Sequence, residues 1–309
     1  MNTFIITIML LKRFLLITPS CSGVSIIDDN VYVVSDNSAY LHVYDKDGIY
    51  KDKILIFKQF AIDSIIEKKL KPDLELMTNF KHYDKDVIML CGSGSYHKVR
   101  DTLVWVTIDN EKSSKTYSNE SYSLTTLYDA WRKDVDITLH TDLNLEGLAS
   151  DDTYFYFFQR GNVNGDNILF RVRKEAFVNY ILDTNRTLPL YDTFRIKLPT
   201  LEGYYAGFSD ATMAPDGKNI IFTASVEGSN NSYDDGVIFG SFIGILPLAD
   251  LKDGYEPTAK LLTDNGRTLK IKVEGVAVKK VEEDGKLHLI LLTDPDGSHS
   301  EWLEILMQY

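Results

Sequence analysis

Two segments place the same pair of residues at the mouth of an apolar run: LNLEGLAS at 143–150 and IKVEGVAV at 271–278, with Glu146 and Glu274 separated by 128 residues. Carboxylates brought together in a low-dielectric site repel one another. They must take up protons, pair with cations or bind a metal ion. A hard ion that accepts six to eight oxygens in irregular geometry suits such a set, which makes calcium the first expectation and magnesium the second. The ligands expected are Glu146, Glu274, Asp210 and Asp36, with Arg160, Gln159, Arg100 and Ser93 as substrate-binding groups. The other reading of the two glutamates is structural: each accepts hydrogen bonds from a neighbouring element and holds the fold together.

Other motifs carry less. CGSGS at 91–95 lacks the Gly-Lys-Ser/Thr of a phosphate loop and reads as a tight turn. No Gly-x-Ser-x-Gly elbow occurs. The six histidines (His42, His82, His97, His140, His288 and His299) show no pair at helical ligand spacing, and only His97 adjoins the expected site as an acid or base. DPDGS at 294–298 echoes a calcium loop, but the glutamate such a loop needs downstream falls in a strand.

The elements that would deliver these residues are short and β-rich. VYVVSD, VIMLCG, LVWVTI, YFYFFQR, ILFRVR, NIIFTAS and LHLILLTD are β-branched or aromatic runs, several bounded by Asp-Gly turns at 47–48, 216–217 and 284–285. Only two stretches, around 61–70 and 124–134, read as helical. Five segments align as repeats: 22–38, 75–95, 145–162, 209–228 and 273–297. Setting Gly23, Thr78, Gly147, Ala211 and Gly275 as equivalent gives steps of 55, 69, 64 and 64, so the two glutamates lie two repeats apart.

Units of about sixty residues with three or four strands each are propeller blades, because radial repetition of small twisted sheets protects their edges. The expected fold is therefore one all-β domain over 1–309, a β-propeller of five blades, or six if 49–74 or 112–143 hides a degenerate one. A continuous β-sandwich is the alternative. The last repeat has three evident strands, and TFIITIML near the N-terminus supplies its fourth. In such a ring the start of each first strand and the end of each second strand meet on one face. That face collects Asp36, Asp73, Glu75, Ser93, Glu146, Arg160, Asp210, Glu227, Glu274, Asp294 and Asp296, with Lys71 and Arg100 as further countercharges. A glycine after each Glu leaves room for a close neighbour at the axis.

Composition sets outer limits. Of 309 residues, 44% are hydrophobic, enough for a large core, and the net charge of −12 argues against a nucleic-acid or anionic-membrane partner. Cys21 and Cys91 read as free buried thiols rather than a disulfide framework. The N-terminal run MNTFIITIMLLKRFLLITPSC is cut by Lys12 and Arg13, so it reads as a strand of the fold rather than a signal peptide or membrane span. The cytoplasm is the expected compartment, with the periplasm as alternative.

TPSCSGVSIIDDNVYVVSDNSAYLHVYD (18–45), KKLKPDLELMT (68–78) with CGSGSYHKVR (91–100), NLEGLA with FQRGN (158–162), and VEGVAV together resemble an uncharacterised family of bacterial β-propeller proteins. That family is similar to the esterase-like-phytase and SdiA-regulated propellers. The resemblance covers nearly the whole chain and implies a propeller that includes TPSCSG. By analogy with phytase-like relatives it places Glu146 and Glu274 around a calcium-dependent site. An Arg/Lys-rich phosphate cradle is absent from this sequence. Two functional readings follow: a metal-dependent hydrolase of a phosphoester, ester or lactone, or a non-catalytic module holding a carbohydrate, peptide, other small molecule or partner protein in the central channel.

Overall fold

A computed structural model describes residues 4–62, 65–109, 115–134, 142–161, 163–183, 187–228, 236–295 and 298–309. After β1 (Thr7–Pro19), the first blade comprises β2 (Cys21–Ile27), β3 (Asn30–Ser35), β4 (Tyr40–Asp45) and β5 (Tyr50–Leu55). The second comprises β6 (Leu74–His82), β7 (Lys85–Gly92), β8 (Thr102–Asp109) and β9 (Thr116–Ser123), followed by helix α1 (Thr125–Lys133). The third has β10 (Leu145–Ser150), β11 (Tyr154–Gln159), β12 (Asn167–Arg173) and, after helix α2 (Lys174–Leu182), β13 (Tyr191–Ile196). The fourth has β14 (Thr200–Leu201), β15 (Tyr204–Met213), β16 (Asn219–Glu227), β17 (Ile238–Pro247) and β18 (Thr258–Leu261). A small hairpin, β19 (Thr263–Asp264) and β20 (Arg267–Thr268), leads to the fifth blade of β21 (Val273–Val281), β22 (Leu287–Thr293) and β23 (His299–Gln308).

The result is a five-bladed β-propeller. Its inner strands β2, β6, β10, β15 and β21 pack in that order, and β21 returns to β2. The fifth sheet runs β1-β23-β22-β21, so the N-terminal strand closes the last blade. Lys12 and Arg13 do not interrupt β1, because its partner strand answers them. Lys12 is opposite Glu304, and Arg13 is opposite Leu303 and bonded to Glu301 at 2.8 Å.

Each seam between neighbouring blades holds its own apolar cluster. Tyr32 and Val34 meet Ile88 and Leu90 between the first two blades, and Leu76 and Met89 meet Phe155 and Phe157 in the next. Phe158 meets Phe208 and Phe222, Ile243 meets Leu289 and Leu303, and Val24 and Tyr44 meet Leu292 and Trp302. Cys21 and Cys91 lie in different seams, both free and buried. Alternating strands with both faces covered explain why these runs are apolar nearly throughout.

Two helix readings need correction. Residues 61–62 and 65–70 form turns and irregular chain after a short 3₁₀ turn at Lys58–Phe60, because Ile62 is almost fully exposed and only Ile66 of the described apolar residues finds a buried place. Helix α2 was not expected, yet its Phe177, Val178 and Ile181 form an apolar stripe packed against the third blade, next to Phe155 and Phe157. Neither 49–74 nor 112–143 holds a sixth blade among the described residues.

Register also shifts two repeat equivalences. Each inner strand carries a bulge, one residue from its start at Ser22, Glu75, Glu146 and Glu274 and five residues into β15 at Ser209. The matching positions after the bulge are therefore Gly23, Leu76, Gly147, Asp210 and Gly275, replacing Thr78 and Ala211. Three are glycines because the next inner strand is close. A Cβ on Gly147 would stand 3.0 Å from the Asp210 backbone, and one on Gly23 would stand 3.0 Å from Met77 Cβ. Gly147→Ala therefore forces two inner strands apart. It should cost about 1–3 kcal/mol in urea denaturation, and an unchanged midpoint would contradict this close packing.

Candidate functional site: an ion-paired axial mouth

A β-bulge leaves one residue unpaired and re-aims its side chain. Here the bulges turn Glu75, Glu146 and Glu274 from three blades into one buried group at the mouth of the axis. Ser22 and Ser209 occupy the same position in the other two blades, where their hydroxyls bond to the Leu74 carbonyl and to Thr223. One rung above the bulge, the second strand of each blade returns. Asp36, Ser93, Arg160 and Asp294 donate their N–H groups to the carbonyls of Ser20, Asp73, Asn144 and Lys272, and Ser225 pairs with Gly207 in the fourth blade. Chemistry-bearing side chains thus come from equivalent positions of a repeated hairpin.

Arg160 is the hub of one half. Its Nη1 lies 3.3 Å from Oε1 of both Glu146 and Glu274, and its Nη2 lies 2.5 Å from Glu227 Oε1. Lys272 adds contacts of 2.9 Å to Glu274 and 3.6 Å to Glu227. Burial raises the carboxyls of Glu146 and Glu274 despite these cations, whereas Arg160 and Lys272 outweigh burial at Glu227 and hold it below the usual range. The second half centres on Asp73, which sits 2.8 Å from Lys71 and 2.7 Å from Arg100 and accepts the Ser93 hydroxyl at 2.5 Å. Lys71 also pairs with Asp36. Burial opposes ionisation of Asp73, but Lys71 and Arg100 prevail and lower it; at Asp36 burial wins and the carboxyl is raised.

Glu75 lies between the halves. It makes no hydrogen bond or ion pair among the described residues, and burial followed by the fields of Glu146, Asp73, Glu274 and Asp36 pushes it well above the ordinary value. Asp294 contributes a further charge felt by Glu274 and Lys272. Seven carboxyl groups thus face four cations, three more acids than bases, and the raised values of Glu75, Glu146, Glu274 and Asp36 oppose the build-up of negative charge that full ionisation would bring.

The residues expected from sequence are only partly brought together. Glu146, Glu274 and Asp36 reach the mouth. Asp210 does not: its two oxygens accept the backbone N–H groups of Ala211 and Val276, each at 2.7 Å, clamping the fourth blade to the fifth. Glu146, Glu274, Asp210 and Asp36 accordingly form no common coordination sphere. The space between the two glutamates is taken by a guanidinium, and Arg160 itself faces carboxylates rather than solvent. Gln159 is fully buried with its amide occupied by Asp142, Arg160 and Asn144. Ser93, also fully buried, holds Asp73, as does Arg100. The CGSGS turn exists to make that connection.

A tighter set of carboxylates is present elsewhere in the mouth. Oxygens of Asp36, Asp73 and Glu75 lie within 4.8 Å of one another, and Asp36 Oδ1 is buried without a hydrogen-bond partner. His97, Asp101 and Asp129 form another close group, but Arg132 already bridges the two aspartates. Sequence reading passed over Lys272. Its signal was positional: Lys272, Asn144 and Asp73 each stand two residues before a bulged glutamate. Asp296 and His140 lie outside the described residues. A cavity of about 340 Å³ lies to one side of the network, lined by Lys272 and Asp294 together with Arg13, Ile238 and Glu301, and none of Arg160, Arg100, Glu75, Glu146 and Glu274 lines it.

Fold and site together define a five-bladed β-propeller with a carboxylate-rich axial mouth. The chain belongs to a family of unknown function (DUF6929), whose model matches residues 18–307. No curated protein matches it. Among solved structures it is similar to an exo-1,5-α-L-arabinanase from a bovine ruminal metagenomic library, at 10% identity over 94% of this chain and 93% of that one, TM-score 0.48. It is also similar to a β-1,3-galactosidase of glycoside hydrolase family 43 (10% identity, 94% and 90% covered, TM-score 0.49) and to the Dos1 propeller (10% identity, 92% and 68% covered, TM-score 0.35). At such identities the likeness concerns chain path, not chemistry. No helix among the described residues is long and apolar enough to cross a membrane.

Opposite substitution effects are expected within the network. Glu227 is held below the ordinary glutamate value near 4.5, so its contribution is present above that pH and lost as the pH falls. Glu75 is raised above it, so its contribution is present below that pH and lost as the pH rises. Glu227→Gln should destabilise by about 3 kcal/mol at neutral pH. Glu75→Gln should gain on the parent protein between pH 5 and pH 8 in chemical denaturation. Equal pH profiles for Glu75→Gln and the parent would refute the assignment.

Proposed function

We propose that the axial mouth holds a divalent cation, calcium first and magnesium second, between Asp36, Asp73 and Glu75, and that the protein is a hydrolase acting beside it. The observation that carries this reading is the close approach of three carboxylates from two adjacent blades, one with a buried, partnerless oxygen. All three are hard oxygen donors, as calcium requires, and carboxyl groups that outnumber their cations suit a further cation. Bound there, the ion would supply Lewis acidity toward a scissile group and its attacking water.

Hydrolysis, rather than binding alone, is supported by carboxylates beyond those three. Glu146 and Glu274, raised by burial, are nearer to working pH than an exposed glutamate and are suited to take a proton from water. Arg160 holds both in place, and Lys272 adds a second contact to Glu274. The resemblance of the Glu-Gly segments to esterase-like-phytase propellers runs in the same direction.

Calcium should raise the melting temperature of protein freed of metal by chelator, and the rise should vanish in Asp36→Asn and Glu75→Gln. Glu146→Gln should retain the rise while losing turnover on a panel of phosphoester, ester, lactone and glycoside substrates. A parent protein indifferent to calcium and magnesium would reject the ion. A calcium-responsive protein with no turnover on the panel would leave a binding module.

A further inference from the structure

Each blade ends on an outer strand whose far edge has no partner in its own sheet, and proteins guard such edges with charge or shortness. Four of the five are guarded here. β5 exposes Lys51, Asp52 and Lys53, β9 exposes Ser118, Glu120 and Ser121, and β13 exposes Asp192 and Arg195. β18 is only four residues long and turns Lys260 outward. None of these strands carries an exposed large apolar side chain.

β1 departs from this pattern. With 13 residues it is the longest strand among the described residues, and it forms the open edge of the fifth sheet. Alternation sends Ile6, Ile8 and Leu10 into the seam with the fourth blade. Ile5, Thr7, Met9 and Leu11 are left outside, with Ile5 80%, Met9 54% and Leu11 45% exposed. The charges of this strand do not guard it, because both are drawn back onto the molecule. Lys12 reaches Glu304 and the Asp47 carbonyl, and Arg13 binds Glu301.

The chemistry of the edge selects its occupant. An antiparallel pairing lets one edge meet its own copy across a two-fold axis perpendicular to the sheet. With that axis at Ile8, Ile5 stands opposite Leu11 and Thr7 opposite Met9, so apolar groups line one continuous face and no charge meets a like charge. A net charge of −12 makes copies repel over most of their surface, whereas this run of seven residues carries no charge at all.

We propose that the run Ile5–Leu11 along β1 pairs with the same run of a second copy of this chain, joining two four-stranded fifth sheets into one of eight. The surface is separate from the axial mouth, and the proposal does not depend on the hydrolase reading. Seven paired residues extend about 23 Å, and an edge of that length covers less than the roughly 800 Å² a side of a stable complex. The dimer is therefore reversible and separates on dilution.

Sedimentation of the full chain should show monomer at about 1 µM and dimer at about 200 µM. Met9→Lys places an ammonium group from each copy on the shared face and should weaken the dimer at least about tenfold. Its melting temperature at low concentration should match the parent, because Met9 is half-exposed. Ile5→Lys makes the same test from the far end of the run. Thr7→Cys protein mixed with Met9→Cys protein should cross-link on mild oxidation, since opposed residues of an antiparallel pair come within disulfide reach. Leu15→Cys, also on the edge but outside the paired run, should not cross-link to itself, and the buried Cys21 and Cys91 do not compete.

A chain that stays monomeric throughout the range overturns the proposal, as does a dimer undiminished in both lysine variants. Cross-linking through Leu15→Cys in place of the mixed pair, or open-ended aggregates in place of a dimer, overturns it too. Monomer that instead binds phosphatidylcholine vesicles, and loses that binding in Met9→Lys, gives the edge to a lipid surface and equally rejects the second copy.

Discussion

A guanidinium buried among glutamates from three blades governs the top of this molecule. Arg160 belongs to the third blade, and its partners Glu146, Glu227 and Glu274 come from the third, fourth and fifth. Taking these charges from water is expensive, and the cost is offset only because each finds an opposite charge with good geometry. The network therefore tolerates few substitutions, and it couples blades that share no strand.

The same constraint explains the division of labour among carboxylates. Where cations approach closely, as at Asp73 and Glu227, ionisation is favoured. Where they do not, as at Glu75, burial and like charges oppose it. Neighbouring acids held in opposite states are the usual equipment of a site that handles protons or cations. Asp210, equally acidic but bonded to two backbone N–H groups, shows that a buried carboxylate can serve only as a clamp.

Precise placement depends on closure of the ring. Five apolar seams fix neighbouring blades, and β1 completes the last sheet from the opposite end of the chain. Inner strands then approach so closely that Gly23, Gly147 and Gly275 have little space for a side chain. The adjacent bulges use that crowding to turn three glutamates inward.

Much of this was legible in the sequence. The β-branched and aromatic runs, their turns and their period pointed to a propeller of five or six blades and to the strand that closes it, because alternation and repetition are local properties of the chain; the described sheets decided for five. The Glu-Gly pairs likewise announced that Glu146 and Glu274 occupy equivalent places. Helix α2 was missed because its nine residues carry only a short apolar stripe directly after a strand. What only the tertiary structure decided was which charge meets which: Arg160 turned inward instead of toward solvent, Lys272 joined the network, Asp210 left it, and Glu75 remained without a partner. Such pairings depend on bulge register and on distances of a few ångströms between blades far apart in sequence, and no local pattern encodes them.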